Sequence, residues 1–326
     1  MFLTQEAKDP SNVKNRKASL LEALQQKRLL TLVVEPSSVC DLSCRFCDLH
    51  SGRYRDVKQY KGKMTLAVWK MLMSQIGVLG YKLEQLQIHG NGEPLLNKDI
   101  VKMVACAKPI AKKIRLTTNG VKLTPTMTRK LVEAGVDEIW ISLDIADDLL
   151  YNEFKGKDKY DTVRHNICMA VAFMEMQSEN ASLIIKYPIS DSNKTYGVNQ
   201  YFGESVVKEF GWFTANSQKV HLKGMPVVAM TGGKTTYESP CEIPFYSLFV
   251  KFDGRVSLCC ADFRDDLTMG NIYMDSLKEI IDGPFLRLMR LRHLDGKFKN
   301  IPLCRTCGNR TCVDLTDIKD EVRKLI

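Results

Sequence analysis

Short apolar, β-branched runs alternate along this chain with longer stretches whose apolar residues recur at helical spacing, and that alternation predicts repeated β–α units around a parallel sheet. Strands are expected at TLVVEPSS (31–38), LEQLQIHG (83–90), KKIRLTTNG (112–120), EIWISLD (138–144), SLIIKYPIS (182–190) and KVHLKGMP (219–226). Helical patterns fall between most of them, near 65–77, 98–112, 124–135 and 162–176. Right-handed crossovers follow by rule. Six such units are too few to close an eight-stranded barrel, yet they put functional residues at the C-terminal ends of the strands all the same, so a partial (β/α)6 TIM-like barrel is expected. The stretch 230–240, rich in Gly, Ser and Thr, reads as a linker. Beyond it, KFDGRVSLCC reads as a turn between two strand-like runs, and SLKEIIDGPFLRLMRLRHLDGK as helical before and after Gly283-Pro284. NRKASLLEALQQKRL, ahead of the first strand, reads as one amphipathic helix capping the barrel. The expected units are 1–29, 30–230 and 231–326.

Composition narrows the class. The chain has 326 residues, 44% hydrophobic and 26% charged, the balance of a globular enzyme, which excludes a largely disordered chain. Its length exceeds what one core comfortably fills, so two modules are expected. A net charge of +9 makes phosphates, carboxylates or a polyanionic carrier plausible partners without naming one. The basic residues are scattered, without the aromatic-interleaved stripe of a nucleic-acid binder, so nucleic acid is not an expected partner. No run reaches the roughly 18 apolar residues of a membrane helix and the start lacks a signal-peptide pattern, so no membrane partner and a cytoplasmic location are expected. In such a compartment 11 cysteines point to metal or cluster ligation rather than disulfides. Cys106 and Cys168, on apolar helical stretches, read as small core hydrophobes.

Directly after the first strand runs Cys40-Asp-Leu-Ser-Cys44-Arg-Phe-Cys47, a C-x3-C-x2-C loop. Three thiolates can hold three irons of a cubane and leave the fourth iron open, whereas clusters normally take four. A zinc knuckle completed by His50 is the plain alternative. At this spacing, with Phe46 before the third cysteine, the segment resembles the radical S-adenosylmethionine (radical SAM) superfamily. The resemblance implies a [4Fe-4S] cluster on Cys40, Cys44 and Cys47 whose open iron is chelated by S-adenosyl-L-methionine, and a one-electron reductant such as flavodoxin or ferredoxin. It implies cleavage to a 5′-deoxyadenosyl radical that abstracts hydrogen from the substrate, chemistry that belongs to the cofactor.

His89-Gly90-Asn91-Gly92-Glu93-Pro94 resembles the family's Gly-Gly-Glu-Pro motif, with Asn91 in the first Gly position. By that likeness the backbone of Asn91 and Gly92 and the Glu93 carboxylate meet the methionyl ammonium. The third strand closes on Thr118 and Asn119. Ser142 and Asp144, two apart on the fourth, share a face of that strand and point the same way, and the resemblance puts the ribose there. Read alone, these segments are turns and a helix N-cap. The resemblance covers about residues 30–226.

The other cysteines gather late: Cys241, then Gly254 and Cys259, and finally Cys304 and Cys307. Four thiolates from a loop, a hairpin and a terminal C-x2-C would hold one fully ligated cluster, or a zinc ion. C-x12-G-x4-C followed by C-x2-C is similar to the SPASM/twitch extension of radical SAM enzymes. The full SPASM pattern C-x2-C-x5-C-x3-C breaks at Cys312, which follows Cys307 after four residues with no later Cys, so the truncated twitch form with one auxiliary [4Fe-4S] cluster is implied. The gaps are similar to those of the 2-deoxy-scyllo-inosamine dehydrogenases, which implies Cys241, Cys259, Cys304 and Cys307 as ligands, with Cys260 and Cys312 as substitutes. Such a cluster accepts an electron from a substrate radical, or else staples the tail.

Only 39 residues precede Cys40, so a leader-binding domain is expected to be absent and a small polar substrate is favoured: a sugar, cyclitol or nucleotide-linked polyol. The expected activity is that of a radical SAM oxidoreductase. An epimerase or peptide-modifying enzyme, and more distantly a non-catalytic zinc protein, are the alternatives. Oxidation of an alcohol needs a base, and strand position offers Lys186 on the fifth strand and His221 and Lys223 on one face of the sixth.

Overall fold

The computed structural model describes residues 10–47, 50, 61–176, 181–189, 200–226, 240–307 and 315–326. Strands β1 (Thr31–Val34), β2 (Leu83–Ile88), β3 (Ala111–Thr118), β4 (Glu138–Ser142), β5 (Ser182–Ile189) and β6 (Val220–Pro226) pair in sequence order, each parallel to the next. This is the parallel, doubly layered arrangement expected of a partial barrel. Helices α2 (Leu66–Val78), α3 (Ile100–Ala107), α4 (Pro125–Glu133), α5 (Asp148–Lys155), α6 (Tyr160–Met176) and α7 (Gln200–Ala215) fill the crossovers.

Local chemistry sets the ends of these elements. Thr65 caps α2 by accepting from the Val68 N–H, and Thr124 caps α4 from the Met127 N–H with Pro125 in its first turn. β1 stops four residues before its sequence pattern does, because Pro36 offers no N–H to the ladder. Helix α3 likewise ends at Ala107, two residues before Pro109, where the sequence pattern runs to 112. Helices α5 and α7 were not among the expected ones; α5 is short and begins at a cap, Asp147, which accepts from the Leu150 N–H.

One sheet face packs against the helices. Leu32, Leu86, Ile88, Ile114, Leu116, Ile139, Ile141, Leu183 and Ile185 are all buried there in one continuous core, each contributing about 1.5–3 kcal/mol by transfer out of water. Cys106 and Cys168 pack against the same core. The other face carries Gln87, Arg115, Glu138, Trp140, Ser142, Lys186 and Lys223, alternating with the apolar set and in cross-strand register.

The C-terminal hairpin is not a separate sheet. Strand β7 (Ser247–Val250) pairs parallel with β1, and β8 (Arg255–Ser257) and β9 (Thr268–Asn271) continue antiparallel, giving the order β6-β5-β4-β3-β2-β1-β7-β8-β9. Helix α1 (Pro10–Gln25), expected to cap the barrel, lays Leu20 and Leu24 against Phe245, Tyr246, Leu294, Leu315 and Val322. Its apolar stripe is therefore covered by the C-terminal elements, and Lys17 and Arg16 add ion pairs to Asp317 and Glu242. The expected linker lies largely outside the described residues. Among the described residues no helix is long and apolar enough to cross a membrane.

Candidate functional site

The loop leaving β1 carries Cys40, Cys44 and Cys47, all partly buried. It is fastened at its base by Asn97, whose Nδ2 donates to the Pro36 and Met64 carbonyls at 2.8 Å each. At its far side it docks on the end of α5, where Ser43 N–H donates to Lys155 O at 3.0 Å and Arg45 N–H to Phe154 O at 2.9 Å. Burial first, then neighbouring negative charge, pushes the Cys40 and Cys44 thiols up to about 11. Iron would have to displace those protons on binding. Among the described residues no three donors gather closely enough for a single metal ion; the thiolates of a cubane each bond a different iron and stand further apart. His50 is exposed.

The turn after β2 presses on this loop. A Cβ at Gly92 would lie 2.4 Å from Ser37 O, and one at Gly90 would meet the Glu35 side chain at 2.4 Å, so only glycine permits the approach. Glu93 N–H donates to Val39 O at 2.8 Å. The Glu93 carboxylate is buried and accepts from Thr118 Oγ1 at 2.7 Å, Asn119 N–H at 2.7 Å and Leu95 N–H at 3.0 Å. Burial pushes its pKa up to about 7 against those donors. Asn119 Nδ2 reaches Asp41 Oδ1 at 2.7 Å and stands 3.8 Å from Cys40 Sγ. Asn91, Gly92, Glu93, Thr118, Asn119 and Cys40 thus form one contiguous site. Two polar atoms beside it, Asp41 Oδ2 and Tyr151 OH, are buried with no hydrogen-bond partner among the described residues. A polar guest, an amino acid moiety among them, fits a place where such atoms await partners.

The fourth strand departs from the expectation. β4 ends at Ser142 and Asp144 takes φ 70°, so strand alternation does not carry as far as Asp144. Asp144 and Ser142 meet through a residue sequence reasoning missed: the buried Lys155 Nζ donates to Ser142 O at 2.9 Å and to the Asp144 carboxylate. Although burial opposes it, Asp144 holds the Lys155 ammonium above its ordinary range, and Cys44 adds to that. Lys155 also stands 5.2 Å from the Phe46 ring centroid. The only sequence signal for it was a lysine in the last turn of a short helix.

On the polar sheet face, Ser142 pairs with Lys186 and Lys186 with Lys223 across β4, β5 and β6. Lys186 is buried, and desolvation lowers its pKa to about 8, helped by the nearby Lys155 and Arg115 and opposed by Asp144. Lys223 Nζ lies 4.8 Å from the Trp140 ring centroid, and the Arg115 guanidinium stands over the same ring at 4.0 Å. Arg115 and Lys113 pair with Glu138. His221 lies nearer the start of β6 and is exposed.

The late cysteines converge. Burial first, and then the thiols of Cys307 and Cys304, drive the Cys241 thiol well above its ordinary range; Cys259 feels burial, Cys260, Cys307 and Cys304 in the same way. Thiols from three chain segments, Cys241, Cys259–Cys260 and Cys304/Cys307, therefore lie near one another, a donor set suited to an iron–sulfur cluster. The hairpin turn at Gly254, φ 83°, sets Cys259 at the end of β8. Asp262, which sequence reasoning also missed, is fully buried and organises that loop: it accepts from Ser257 Oγ at 2.6 Å and from the Asp266 and Leu267 N–H groups at 3.0 Å each. Cys312 lies outside the described residues.

Residues 34–173 match the family model described as Radical SAM superfamily, and residues 241–308 match that of SPASM, an iron-sulfur cluster-binding domain. A "Probable GTP 3',8-cyclase" of Sulfurisphaera tokodaii is 30% identical over 142 residues, 43% of this chain and 42% of that protein. The chain thus spans less than half the length of that curated relative. The structure of BtrN in complex with AdoMet and 2-DOIA is similar with a TM-score of 0.57 and 21% identity, covering 86% of this chain and 93% of that one. Streptococcus suis SuiB bound to S-adenosylmethionine gives 0.58 at 16% identity, over 92% and 78%. These likenesses establish a shared fold.

Proposed function

Because this chain carries a radical SAM domain followed by a SPASM iron-sulfur domain, with [4Fe-4S] clusters and S-adenosylmethionine as its cofactors, we propose that it oxidises a hydroxyl-bearing carbon of an anionic small molecule, such as a nucleotide-linked or phosphorylated polyol. When bound, the cofactors supply a 5′-deoxyadenosyl radical to take the hydrogen atom and an auxiliary cluster to take the remaining electron. Cys40, Cys44 and Cys47 hold the first cluster, and Cys241, Cys259, Cys304 and Cys307 the second. Glu93 and the backbone of Asn91 and Gly92 hold the methionyl ammonium; Thr118 and Asn119 fix Glu93 by their hydrogen bonds. Ser142 and Asp144, braced by Lys155, flank the ribose.

The observation that carries the reading is Lys186, buried on the polar face beside Ser142 with its pKa lowered to about 8. Losing a hydrogen atom and then an electron from a carbinol leaves one proton to be removed, and a lysine that is partly neutral near physiological pH can accept it. Lys223 beside it would hold an anionic group of the substrate, which favours a phosphate-bearing polyol over a neutral cyclitol. A flavodoxin- or ferredoxin-type reductant would feed the first cluster. The test is anaerobic turnover against nucleotide sugars, sugar phosphates and neutral cyclitols: a carbonyl product formed with one 5′-deoxyadenosine supports the reading. A product at the substrate's own oxidation level, epimerised or cyclised, would replace it.

A further inference from the structure

His293 lies in the helix Pro284–Leu294 and is 1% exposed. Its ring stacks on Phe298, with centroids 5.6 Å apart at an interplanar angle of 24°. Each ring nitrogen faces one of the cysteines assigned above to the auxiliary cluster. Nδ1 is 3.3 Å from the Cys241 backbone N, and Nε2 is 3.7 Å from Cys304 Sγ. The first contact settles the tautomer. A backbone N–H can only donate, so Nδ1 must present its lone pair, and the proton of a neutral imidazole then sits on Nε2, pointing at the sulfur.

We propose that His293 donates its Nε2–H to the Cys304 thiolate of the auxiliary cluster and thereby raises that cluster's reduction potential. A hydrogen bond to a ligand sulfur withdraws charge from it and favours the reduced cluster, which is the direction needed by a centre that accepts an electron. The ring also ties together ligands 63 positions apart in sequence, 241 and 304. His293 is a positioning residue that acts through Cys304, and its assignment rests on the two-cluster reading above.

The experiment uses the reconstituted holoenzyme, as wild type, His293→Gln and His293→Phe, with iron content measured first and both clusters then titrated by EPR. Wild type is also labelled with 15N-histidine for pulsed EPR of the reduced auxiliary cluster. Expected are a weak histidine nitrogen coupling and a lower auxiliary potential in His293→Phe. A tenfold shift of the one-electron equilibrium corresponds to about 59 mV. His293→Gln, whose amide can still donate, should fall between wild type and His293→Phe, with the radical SAM cluster unchanged in both. An unaltered auxiliary potential in His293→Phe overturns the proposal. So does absence of any histidine coupling, or a strong one showing nitrogen bound to iron, and these readouts decide the matter even where a variant loses the cluster. Wild type holding a single cluster would instead sink the two-cluster reading itself, and the iron count tells that apart.

Discussion

Lys186 and Lys223 look interchangeable in the sequence, two lysines on neighbouring strands, and their surroundings separate them. Lys186 is buried and its pKa lies near 8, down from 10.5; below that value it is mostly charged and cannot take a proton. Substrate oxidation should therefore rise with pH and level off above about 8, and Lys186→Gln should lower oxidation by about a hundredfold or more while 5′-deoxyadenosine still forms. A pH profile of both products checks this, and an unchanged profile in Lys186→Gln would contradict it. Lys223→Ala should lower substrate turnover more than cofactor cleavage; equal loss of the two, or no loss, counts against it. The cysteines, Glu93 and Asn119 were legible in the sequence because their types and spacing carry the chemistry. Lys155, Asp262 and His293 were not: Lys155 reaches Ser142 and Asp144, and His293 reaches Cys241 and Cys304, only once the fold brings them together, while Asp262 ties its own loop through local hydrogen bonds that no residue type or spacing marks.

The strands and most of the helices were legible from alternation between period 2 and period 3.6; two ends were moved by proline, after Val34 and before Pro109, while the end of β4 at Ser142 and helices α5 and α7 carried no such signal. The turn after β2 shows how an element can be dictated by an approach. At Asn91, in place of the family's glycine, the backbone N–H donates to Glu35 Oε2 at 2.8 Å as a glycine's would, whereas Gly92 has backbone 2.4 Å from where a Cβ would stand. Gly92→Ala should thus push the turn off the cysteine loop and weaken equilibrium binding of S-adenosylmethionine at least tenfold, with Asn91→Gly close to wild type. Equal affinities for Gly92→Ala and wild type would refute that account.

At the scale of the molecule, β7 makes the C-terminal module an extension of the barrel's own sheet, and α1 closes over that module. This was illegible in the sequence because parallel pairing of β7 with β1 joins segments more than 200 positions apart, and no local pattern encodes it. Leu20, 2% exposed in the cluster with Phe245 and Val322, should then matter to the whole: Leu20→Ala is expected to cost about 2–4 kcal/mol of stability, read as a lower midpoint of denaturant unfolding, and an unchanged midpoint would place α1 elsewhere. The central claim, two clusters with separate tasks in one chain, is tested most directly by iron and sulfide content after anaerobic reconstitution, together with cleavage of S-adenosylmethionine under reductant. Wild type should hold about eight irons and both the Cys40/Cys44/Cys47 and the Cys241/Cys259/Cys304/Cys307 alanine variants about four, with 5′-deoxyadenosine lost only in the first. Zinc in place of iron, or wild type that makes no 5′-deoxyadenosine, would contradict it.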